Sequence, residues 1–329
     1  MNKANKAGLV LILSAILIGF NVHAQQNPAD AVDCDRSCLI NMVDAYLLAL
    51  VKHDPSRVPI ADNARFVENI KAILPGAGLW KTAVQVPTSF RIYVPDPVSQ
   101  QVGFLGVMQA VVTTGDQQEV KPVLLALRLK LKNGKIIEME HLIARNLRER
   151  SLPNLIVPRK GLLAPVPEAE RMPRDELLKI GASYYDALVG DNGSLAPFAD
   201  DCMRRENGIQ TTGNPPPKPG DTSIALFGAM GCAKQLDTHI MGYIDRIDNR
   251  RVQIADVQTG LVFALSHFHH SMKNKTIKII GVPGVTERKM TNNPFDLPAA
   301  HIFKITGGKI HEIEAMGFVA PYNSQTGWE

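Results

Sequence analysis

The 329-residue sequence lacks blocks of like charge, basic runs and, beyond its N terminus, long apolar stretches. Its formal net charge is only +4 at pH 7. Nucleic acids and anionic membranes usually bind a basic patch or run, so neither partner is predicted. No segment after the N-terminal stretch is apolar enough to cross a bilayer. The remaining chain is long enough for two domains of ordinary size.

Several short motifs that carry chemistry are also missing. The sequence contains no nucleotide-binding loop and no nucleophile elbow. Its cysteine spacings fit none of the usual zinc-finger patterns. We therefore predict no cofactor and no metal, and these absences favour reactions that need only proton transfer.

The first 24 residues have the order of a secretory signal peptide. Lys3 and Lys6 precede an apolar run from Ala7 to Phe20, and Val22 and Ala24 stand where a signal peptidase reads small residues. The alternative, a membrane anchor, is disfavoured because the run has about fourteen residues and a bilayer needs roughly twenty. We predict cleavage after Ala24 and a soluble periplasmic or secreted protein. No cysteine follows this site, so a lipoprotein is not predicted.

One polar sequence segment occurs twice in the chain. Residues 45–69 and 183–207 align without a gap at an offset of 138 and share ten of twenty-five positions, among them the Glu-Asn pairs at 68–69 and 206–207. A second pair of similar segments lies near the end of each half: "NGKIIEMEH" from Asn133 in the first and "GGKIHEIEA" from Gly307 in the second. The chain is thus predicted to be an internal duplication. We expect a first domain over 25–145, a proline-rich linker over 146–173 and a second domain over 174–329.

The four cysteines suit this organisation and an oxidising compartment. Four cysteines allow three pairings, and the local pairs Cys34–Cys38 and Cys202–Cys232 are the simplest because each lies within one half. The second pair would close a loop of about thirty residues, which stabilises by roughly 3–4 kcal/mol in the chain-entropy model.

Each half begins with an amphipathic helical pattern and continues with strand patterns. Apolar residues recur at three- and four-residue steps from Leu39 to Leu50 and from Leu177 to Leu188. Strand-like segments follow, as in "HIMGYIDRI" from His239, "LVFALSHFHH" from Leu261, "TIKIIGV" from Thr276 and the closing "GKIHEIE". We predict the α+β class, with a curved antiparallel sheet wrapping the helices of each half.

The pattern in the second half, with Tyr184, Leu188, Glu206-Asn207 and the closing "GKIHEIE", resembles the nuclear-transport-factor-2-like superfamily, and its SnoaL-like branch above all. The resemblance implies two tandem cone-shaped domains, each with an apolar pocket at its open end. Because members commonly dimerise through their sheets, it also implies an intramolecular pseudo-dimer. Members include isomerases, dehydratases, cyclases and lyases, and others only bind ligands or proteins, so the fold does not settle the function.

The second half is the more polar copy and is expected to hold the active pocket, with the first as scaffold. Phe66 and Val67 of the first half correspond to Arg204 and Arg205 of the second. Six of the nine histidines also lie in the second half: His239, His267, His269, His270, His301 and His311.

Five residues are candidates for catalysis. His267 and His269 share one face of a predicted strand. One would act as a general acid or base and the other would orient it. Alternatively, the two would be metal ligands, or would lie at a solvated end of the strand. Glu206 would have a raised pKa beside apolar walls, or would hold a turn or pair with Arg205. Tyr184 would polarise a carbonyl or phenol, or would be a core tyrosine. Asp245, in a charge cluster, is the weakest of the five.

Four further residues are predicted to contact substrate: Arg205, Asn207, Phe263 and Tyr243. Together these features favour an exported, cofactor-independent lyase or isomerase that acts on a small apolar molecule, aromatic or polycyclic. The alternatives are a non-catalytic module that binds a small molecule, and a scaffold that presents the fused sheets to a protein partner.

Overall fold

The structure is a computed structural model that describes residue 1, residues 33–220 and residues 223–329. The predicted signal-peptide cleavage site after Ala24 lies outside the described residues. Within the described ranges, no helix is both long and apolar enough to cross a membrane.

The two long helices stand at equivalent places in the two halves. Asp35 caps the first by accepting a hydrogen bond from the backbone N–H of Cys38 at 2.7 Å, and Asp175 and Glu176 place negative charge in the first turn of the second. The α-helices of the described chain are α1 (Arg36–Val51), α2 (Lys160–Leu163), α3 (Arg174–Val189), α4 (Ala225–Gly228) and α5 (Cys232–Leu236). Short 3-10 helices cover Pro55–Arg57, Gly78–Lys81, Glu149–Leu155, Glu168–Glu170 and Gly193–Leu195.

Strands make up most of the rest of each half. The first half contains β1 (Ile60–Glu68), β2 (Lys71–Ala72), β3 (Ala83–Gln85), β4 (Arg91–Asp96), β5 (Gln101–Thr114), β6 (Gln117–Lys132) and β7 (Lys135–Ala144). The second contains β8 (Phe198–Glu206), β9 (Ile209–Gln210), β10 (Arg246–Asp256), β11 (Leu261–His270), β12 (Thr276–Lys278), β13 (Glu287–Lys289), β14 (Phe295–Thr306), β15 (Lys309–Gly317) and β16 (Ala320–Pro321).

The two halves have the same strand order, as the predicted duplication requires. The described strands form two seven-stranded sheets. The order is β2-β1-β7-β6-β5-β3 in the first, where β4 also pairs with β5, and β10-β11-β14-β15-β8-β9 in the second, where β16 also pairs with β14; β12 pairs with β13 separately. In both halves the strand after the long helix runs parallel to the last long strand, β1 beside β7 and β8 beside β15. In each of these parallel pairs the register shifts at the same place, between Ile60 and Arg65 of β1 and between Phe198 and Met203 of β8. Such irregularities bend the sheet. The α+β class is confirmed, and the arrangement fits a tandemly duplicated cone-like fold.

The molecule has four layers, with the two sheets in the middle and a long helix on each outer side. Alternate residues of β6 face opposite ways: Leu125 and Leu127 pack with α1, while Leu124 and Ala126 pack towards the second sheet. The second sheet does the same. The inter-sheet core therefore contains residues from both halves, including Phe90, Ile92, Leu105, Phe263, Leu265 and Ile302.

Ion pairs surround this inter-sheet core. Arg251 of β10 donates two hydrogen bonds of 2.6 Å each to the buried carboxylate of Glu140 on β7. Arg174 donates to Asp96 at 2.9 Å in the same way across the halves. Burial opposes ionisation of Glu140, but the bonds and charge of Arg251 lower its pKa overall. Glu140, the second glutamate of "GKIIEME", thus faces the other sheet.

Two predicted strands and the linker differ from expectation. Residues 239–243 form turns, and β10 begins only at Arg246. Tyr243 packs on a separate apolar cluster around Phe227 and Ile240, whereas Ile244 packs on the core of the second half, so the two residues do not alternate across the sheet. Of "TIKIIGV" only Thr276–Lys278 is strand. The linker is not simply extended, since it contains α2 and two 3-10 helices.

Both predicted disulfides, Cys34–Cys38 and Cys202–Cys232, are present, and the described residues contain no free cysteine. The second ties β8 to the start of α5 across residues 203–231. Disulfides are typical of proteins in oxidising compartments.

Candidate functional site

The second half contains a cavity of about 390 Å³ between α3 and the sheet face on which this helix packs. Four of the predicted site residues line it: Tyr184, Glu206, Asn207 and Tyr243. Apolar side chains make most of the remaining wall, namely Leu188, Ile209, Met241, Ile244, Phe268, Leu297, Ala299, Ala315 and Met316. Arg148 and Arg150 reach the cavity from the linker.

A second cavity, also of about 390 Å³, adjoins the first. The two share several wall residues: Arg150, Glu206, Ile209, Thr211, Met241 and Tyr243. The second extends towards Arg204, Gln235 and Arg288. Glu206 therefore lies at the boundary of a space large enough for a small organic molecule.

Tyr184, Arg204 and Glu206 form the polar centre of this boundary. The buried guanidinium of Arg204 lies with Nε 2.8 Å from Oε1 of Glu206, whose side chain is 48% exposed. Burial raises the pKa of Tyr184 to about 12, although the charge of the adjacent Arg204 opposes the change. At neutral pH the tyrosine thus keeps its proton and can donate a hydrogen bond, while a nearby carboxylate can accept one.

Two histidines of the cavity wall are neutral at physiological pH. Burial lowers the pKa of His301 to about 3, and its Nδ1 lies 3.1 Å from the hydroxyl of Tyr185. Burial also lowers the pKa of His270 to about 4, and its ring stacks between Phe295 and Tyr243 at centroid distances of 4.2 and 5.5 Å. Both rings are therefore suited to binding or orienting a ligand rather than to carrying charge.

Asn207 has a structural task as well as a place in the wall. Its backbone has φ 47°, and its side chain donates to the carbonyl of Gly317 at 2.9 Å and accepts from the N–H of Gly317 at 3.0 Å. Asn69 does the same to Ile143 in the first half, with φ 44°. In each half the asparagine of the repeated Glu-Asn pair thus ends its strand in a left-handed turn, and its side chain fixes this turn by hydrogen bonds to the neighbouring parallel strand.

His267 and His269 lie on the other face of β11 from the cavity. Their face belongs to the inter-sheet side with Phe263 and Leu265, while Phe268 and His270 lie on the cavity side. The prediction that this histidine pair stands in the cone is therefore corrected: the alternation of the strand was right, but the pocket lies on the face opposite to the one expected. Both imidazoles are buried against Asp296 instead.

Three further predicted residues lie outside the cavity. The Asp245 carboxylate accepts hydrogen bonds from the backbone N–H and the hydroxyl of Ser271, which joins the residue before β10 to the residue after β11. Arg205 projects to the opposite side of β8 from Arg204 and donates to the carbonyl of Asn154 at 3.4 Å. Phe263 packs in the inter-sheet core. Their expected positions at the substrate are corrected accordingly.

The equivalent space in the first half is occupied by side chains. Glu68 is opposite His141 in the β1–β7 register, and Glu206 is opposite Ala315 in the β8–β15 register, so Ala315 takes the place of His141. The buried His141 ring bridges the hydroxyl of Tyr46 at 2.9 Å and the carboxylate of Glu68 at 3.2 Å. The fully buried Trp80 packs against Tyr46.

Sequence reasoning missed Arg204, His270, His301 and the two linker arginines as wall residues. The exchange of Phe66 for Arg204 was a signal, because an arginine replacing a core phenylalanine needs a buried partner. No signal chose the face of β11, since every residue of that strand is buried.

Comparison with protein families finds one match. Residues 170–317 match the model described as "Domain of unknown function (DUF8021)", which covers the second half alone. A search of curated proteins finds no match.

Solved structures of similar shape each align with less than half of the chain. A "putative polyketide cyclase" from Silicibacter sp. TM1040 is 14% identical, covers 44% of this chain and 90% of its own, and has a TM-score of 0.27. Another from Xanthomonas campestris pv. campestris is 16% identical, with coverages of 44% and 90% and a TM-score of 0.28. A "SnoaL-like polyketide cyclase" from Jannaschia sp. CCS1 is 10% identical, with coverages of 46% and 89% and a TM-score of 0.25. These TM-scores are below 0.5, and the fold assignment rests on the strand order and the layers of the molecule.

Proposed function

We propose that this protein is an exported, cofactor-independent lyase or isomerase whose second half binds a small, largely apolar molecule and moves a proton on it. In this proposal residues 1–24 are the signal peptide, 25–145 the scaffold domain, 146–173 the linker and 174–329 the active domain. The two domains would form an intramolecular pseudo-dimer through the sheet faces that pack together.

The observation that carries the proposal is the difference between the two copies. In the first half, His141 and Trp80 occupy the space beside Tyr46. In the second, Ala315 leaves that space open beside Tyr184, and polar groups surround it. A filled copy beside an open one favours a role for the open space in ligand binding, which supports the small-molecule hypotheses over the protein-scaffold one.

The wall chemistry supports a ligand with an apolar body and a carbonyl or phenolic oxygen. Phe268, Met241 and Leu297 provide apolar contact area. The Tyr184 hydroxyl would donate to the ligand oxygen, with Arg204 beside it to stabilise developing negative charge. The exposed Arg148 and Arg150 add positive charge at the mouth, which favours an oxygen-rich end on the ligand.

Proton transfer would use Glu206 and Tyr184 together. The Glu206 carboxylate takes a proton from the carbon next to the ligand carbonyl, and the electron pair of the broken C–H bond moves onto the carbonyl oxygen held by Tyr184. Return of that proton to another carbon completes an isomerisation. Its delivery to a departing hydroxyl group, as the enolate electrons form the new double bond, releases water and completes an elimination.

A turnover screen tests this proposal. The purified protein is incubated with lignin-type dimers, steroids and keto-sugars, and the products are analysed by mass spectrometry. We expect a product lighter by water or a small fragment, or an isomer of equal mass with a changed retention time. In Glu206→Gln the rate should fall by about 100- to 10 000-fold, the range typical of a general base.

Matched variants in the first half are the controls. Tyr46→Phe should leave turnover unchanged, whereas Tyr184→Phe should lower it, provided that circular dichroism shows both to be folded. Recovery of a retained but unchanged compound would overturn the enzyme assignment and favour the binding module. Equal activity in Glu206→Gln and the native chain would remove Glu206 from the mechanism.

A further inference from the structure

A cluster of two histidines and an aspartate lies on the inter-sheet side of the second sheet, away from the cavity. Nε2 of His267 lies 3.0 Å from Oδ2 of Asp296, and Nδ1 of His269 lies 2.8 Å from Oδ1 of the same carboxylate. The three side chains are almost completely buried, Asp296 fully so. The two rings are nearly parallel, with centroids 4.8 Å apart.

These atoms satisfy the distance requirements of a small metal site. One nitrogen from each histidine and one carboxylate oxygen lie within 4.8 Å of one another. Zinc binds imidazole nitrogen and carboxylate oxygen at about 2.0–2.2 Å, so three such ligands around one ion need separations of roughly 3–3.5 Å. The present separations require only small movements of side chains.

The surroundings of the cluster are those of ligating histidines. The other nitrogen of His269, Nε2, lies 3.2 Å from Oδ2 of Asp248 on β10, and a carboxylate in this position orients a ligating imidazole and raises its basicity. Ser324 closes the open side, with Oγ 3.3 Å from Nε2 of His267 and 3.2 Å from Oδ2 of Asp296. A hydroxyl or a water at this place completes a four-ligand set.

The first half carries no such set at the equivalent positions. Strand pairing equates His267 with Val107, His269 with Gln109 and Asp296 with Pro122. The three potential ligands thus occur together only in the second copy. A structural need of the sheet does not explain them, because the first sheet forms the same strand order without them.

We propose that His267, His269 and Asp296 bind one divalent transition-metal ion, with zinc as the first candidate, and that this ion fastens the C-terminal tail to the second sheet. Two imidazoles and one carboxylate are borderline ligands that suit zinc and its neighbours better than calcium or magnesium. The tail continues from Ser324 to Trp328, over which Arg65 of the first half and Arg251 of the second stack at 4.9 and 5.8 Å. The ion would thereby stabilise the contact between the halves.

Metal content and affinity test the proposal directly. The full chain, purified without a polyhistidine tag, is stripped with a chelator, dialysed against buffered zinc and analysed by inductively coupled plasma mass spectrometry. We expect about one zinc per chain, a higher melting temperature with zinc than without it, and visible d–d absorption of a four-coordinate site when cobalt(II) replaces zinc.

Conservative variants locate the site. Asp296→Asn and His269→Gln should each lower zinc affinity by at least about 10-fold, with larger losses expected for these direct ligands than for orienting partners. His311→Gln is the matched control, because this half-exposed histidine also pairs with an aspartate, Asp201, but has no third ligand. It should bind zinc like the native chain.

A readout on the tail distinguishes this site from adventitious binding. Zinc should slow carboxypeptidase removal of residues 325–329 in the native chain and should not do so in His269→Gln. Zinc content well below one per chain, or equal zinc binding by the native chain and by a folded Asp296→Asn variant, would overturn the proposal. Asp296 would then be a carboxylate that holds the tail without a metal, by accepting hydrogen bonds from the two histidines and from the backbone N–H and hydroxyl of Ser324.

Discussion

Ala315 is the residue whose difference between the two copies matters most for the cavity. Its counterpart, His141, links Tyr46 to Glu68 and fills the first cone. A methyl group in place of an imidazole leaves room beside Tyr184 and Glu206, and both then line a cavity. The exchange of His141 for Ala315 therefore accounts for much of the difference between the filled core of the first half, which Trp80 also fills, and the open space of the second.

Replacement of Ala315 by histidine should close that space. The new imidazole would lie between Tyr184 and Glu206, as His141 lies between their counterparts, so we expect loss of ligand binding and turnover with little loss of stability. Isothermal titration with a ligand from the screen, together with thermal melting, measures both effects. Ala315→Ser, which adds a single oxygen, is the control. Unchanged ligand affinity in Ala315→His would contradict the cavity assignment.

His301 should make stability depend on pH. Its pKa is about 3 in the folded protein and about 6.5 in the unfolded chain, so the unfolded state binds more protons between these values. The contribution of His301 is therefore fully present above about pH 6.5 and is lost as the pH falls towards 3. The slope approaches about 1.4 kcal/mol per pH unit in the middle of this window.

Urea unfolding of the native chain and His301→Gln at pH 5 and pH 7 measures this contribution. The native chain should lose more stability than the variant on acidification. Equal losses in the two proteins would show that His301 titrates normally in the folded state.

At the scale of single residues, sequence reasoning predicted part of the site. The repeated segment located Tyr184, Glu206 and Asn207, because a duplicated pattern fixes equivalent places in a fold. It did not locate His270 and His301, since burial of both faces of β11 and β14 removes the polar–apolar contrast that tells one face from the other.

At the scale of elements, the end of β8 and the loop enclosed by the Cys202–Cys232 disulfide form one side of the cavity. The Cys202–Cys232 disulfide joins β8 to α5 across a sequence separation of 30. Ile209 and Thr211, which belong to the enclosed loop, line the cavity. A constraint on this loop therefore acts on the binding space as well as on the unfolded chain.

Removal of this disulfide should cost more than removal of the other. In the chain-entropy model, Cys202→Ala with Cys232→Ala lowers the free energy of unfolding by about 3–4 kcal/mol, and Cys34→Ala with Cys38→Ala by about 2 kcal/mol because that loop is much shorter. Ligand affinity should fall only in the first variant. Denaturant titration and calorimetric binding measure the two effects, and equal losses in the two variants would contradict the argument.

Element positions followed from the sequence where the pattern was long. The helices from Arg36 and Arg174 and the strand Leu261–His270 agree with their predicted places. The predicted strand over residues 239–245 is absent, because Ile240 and Tyr243 belong to a separate apolar cluster and Ile244 to the core of the second half, so they do not alternate across a sheet.

At the scale of the whole molecule, the two sheets share a core that neither half could bury alone. The inter-sheet core combines apolar side chains of β4, β5 and β6 with those of β10, β11 and β14. Arg251 and Glu140 pair beside it. The duplication predicted from the sequence implies two similar units. It does not indicate which strand faces meet, and for this reason the sequence-based prediction places Phe263 in contact with substrate rather than in the inter-sheet core.

The close approach of the sheets depends on a glycine. A Cβ atom added at Gly103 of β5 would overlap the ring of Phe263 on β11. Gly103→Ala should therefore destabilise the native chain by about 1–3 kcal/mol through overpacking. Phe263→Ala alone should cost about 3–5 kcal/mol, since it leaves a cavity.

The double variant separates this contact from a general intolerance of Gly103. With Phe263 reduced to alanine, the new methyl group at residue 103 meets empty space, so the added cost of Gly103→Ala should fall to near zero and the two changes should couple by at least about 1 kcal/mol. Chemical denaturation of the four proteins gives this coupling energy. Strictly additive losses would show that the two sheets do not meet at Phe263 in solution, and would remove the structural basis for treating the two halves as one packed unit.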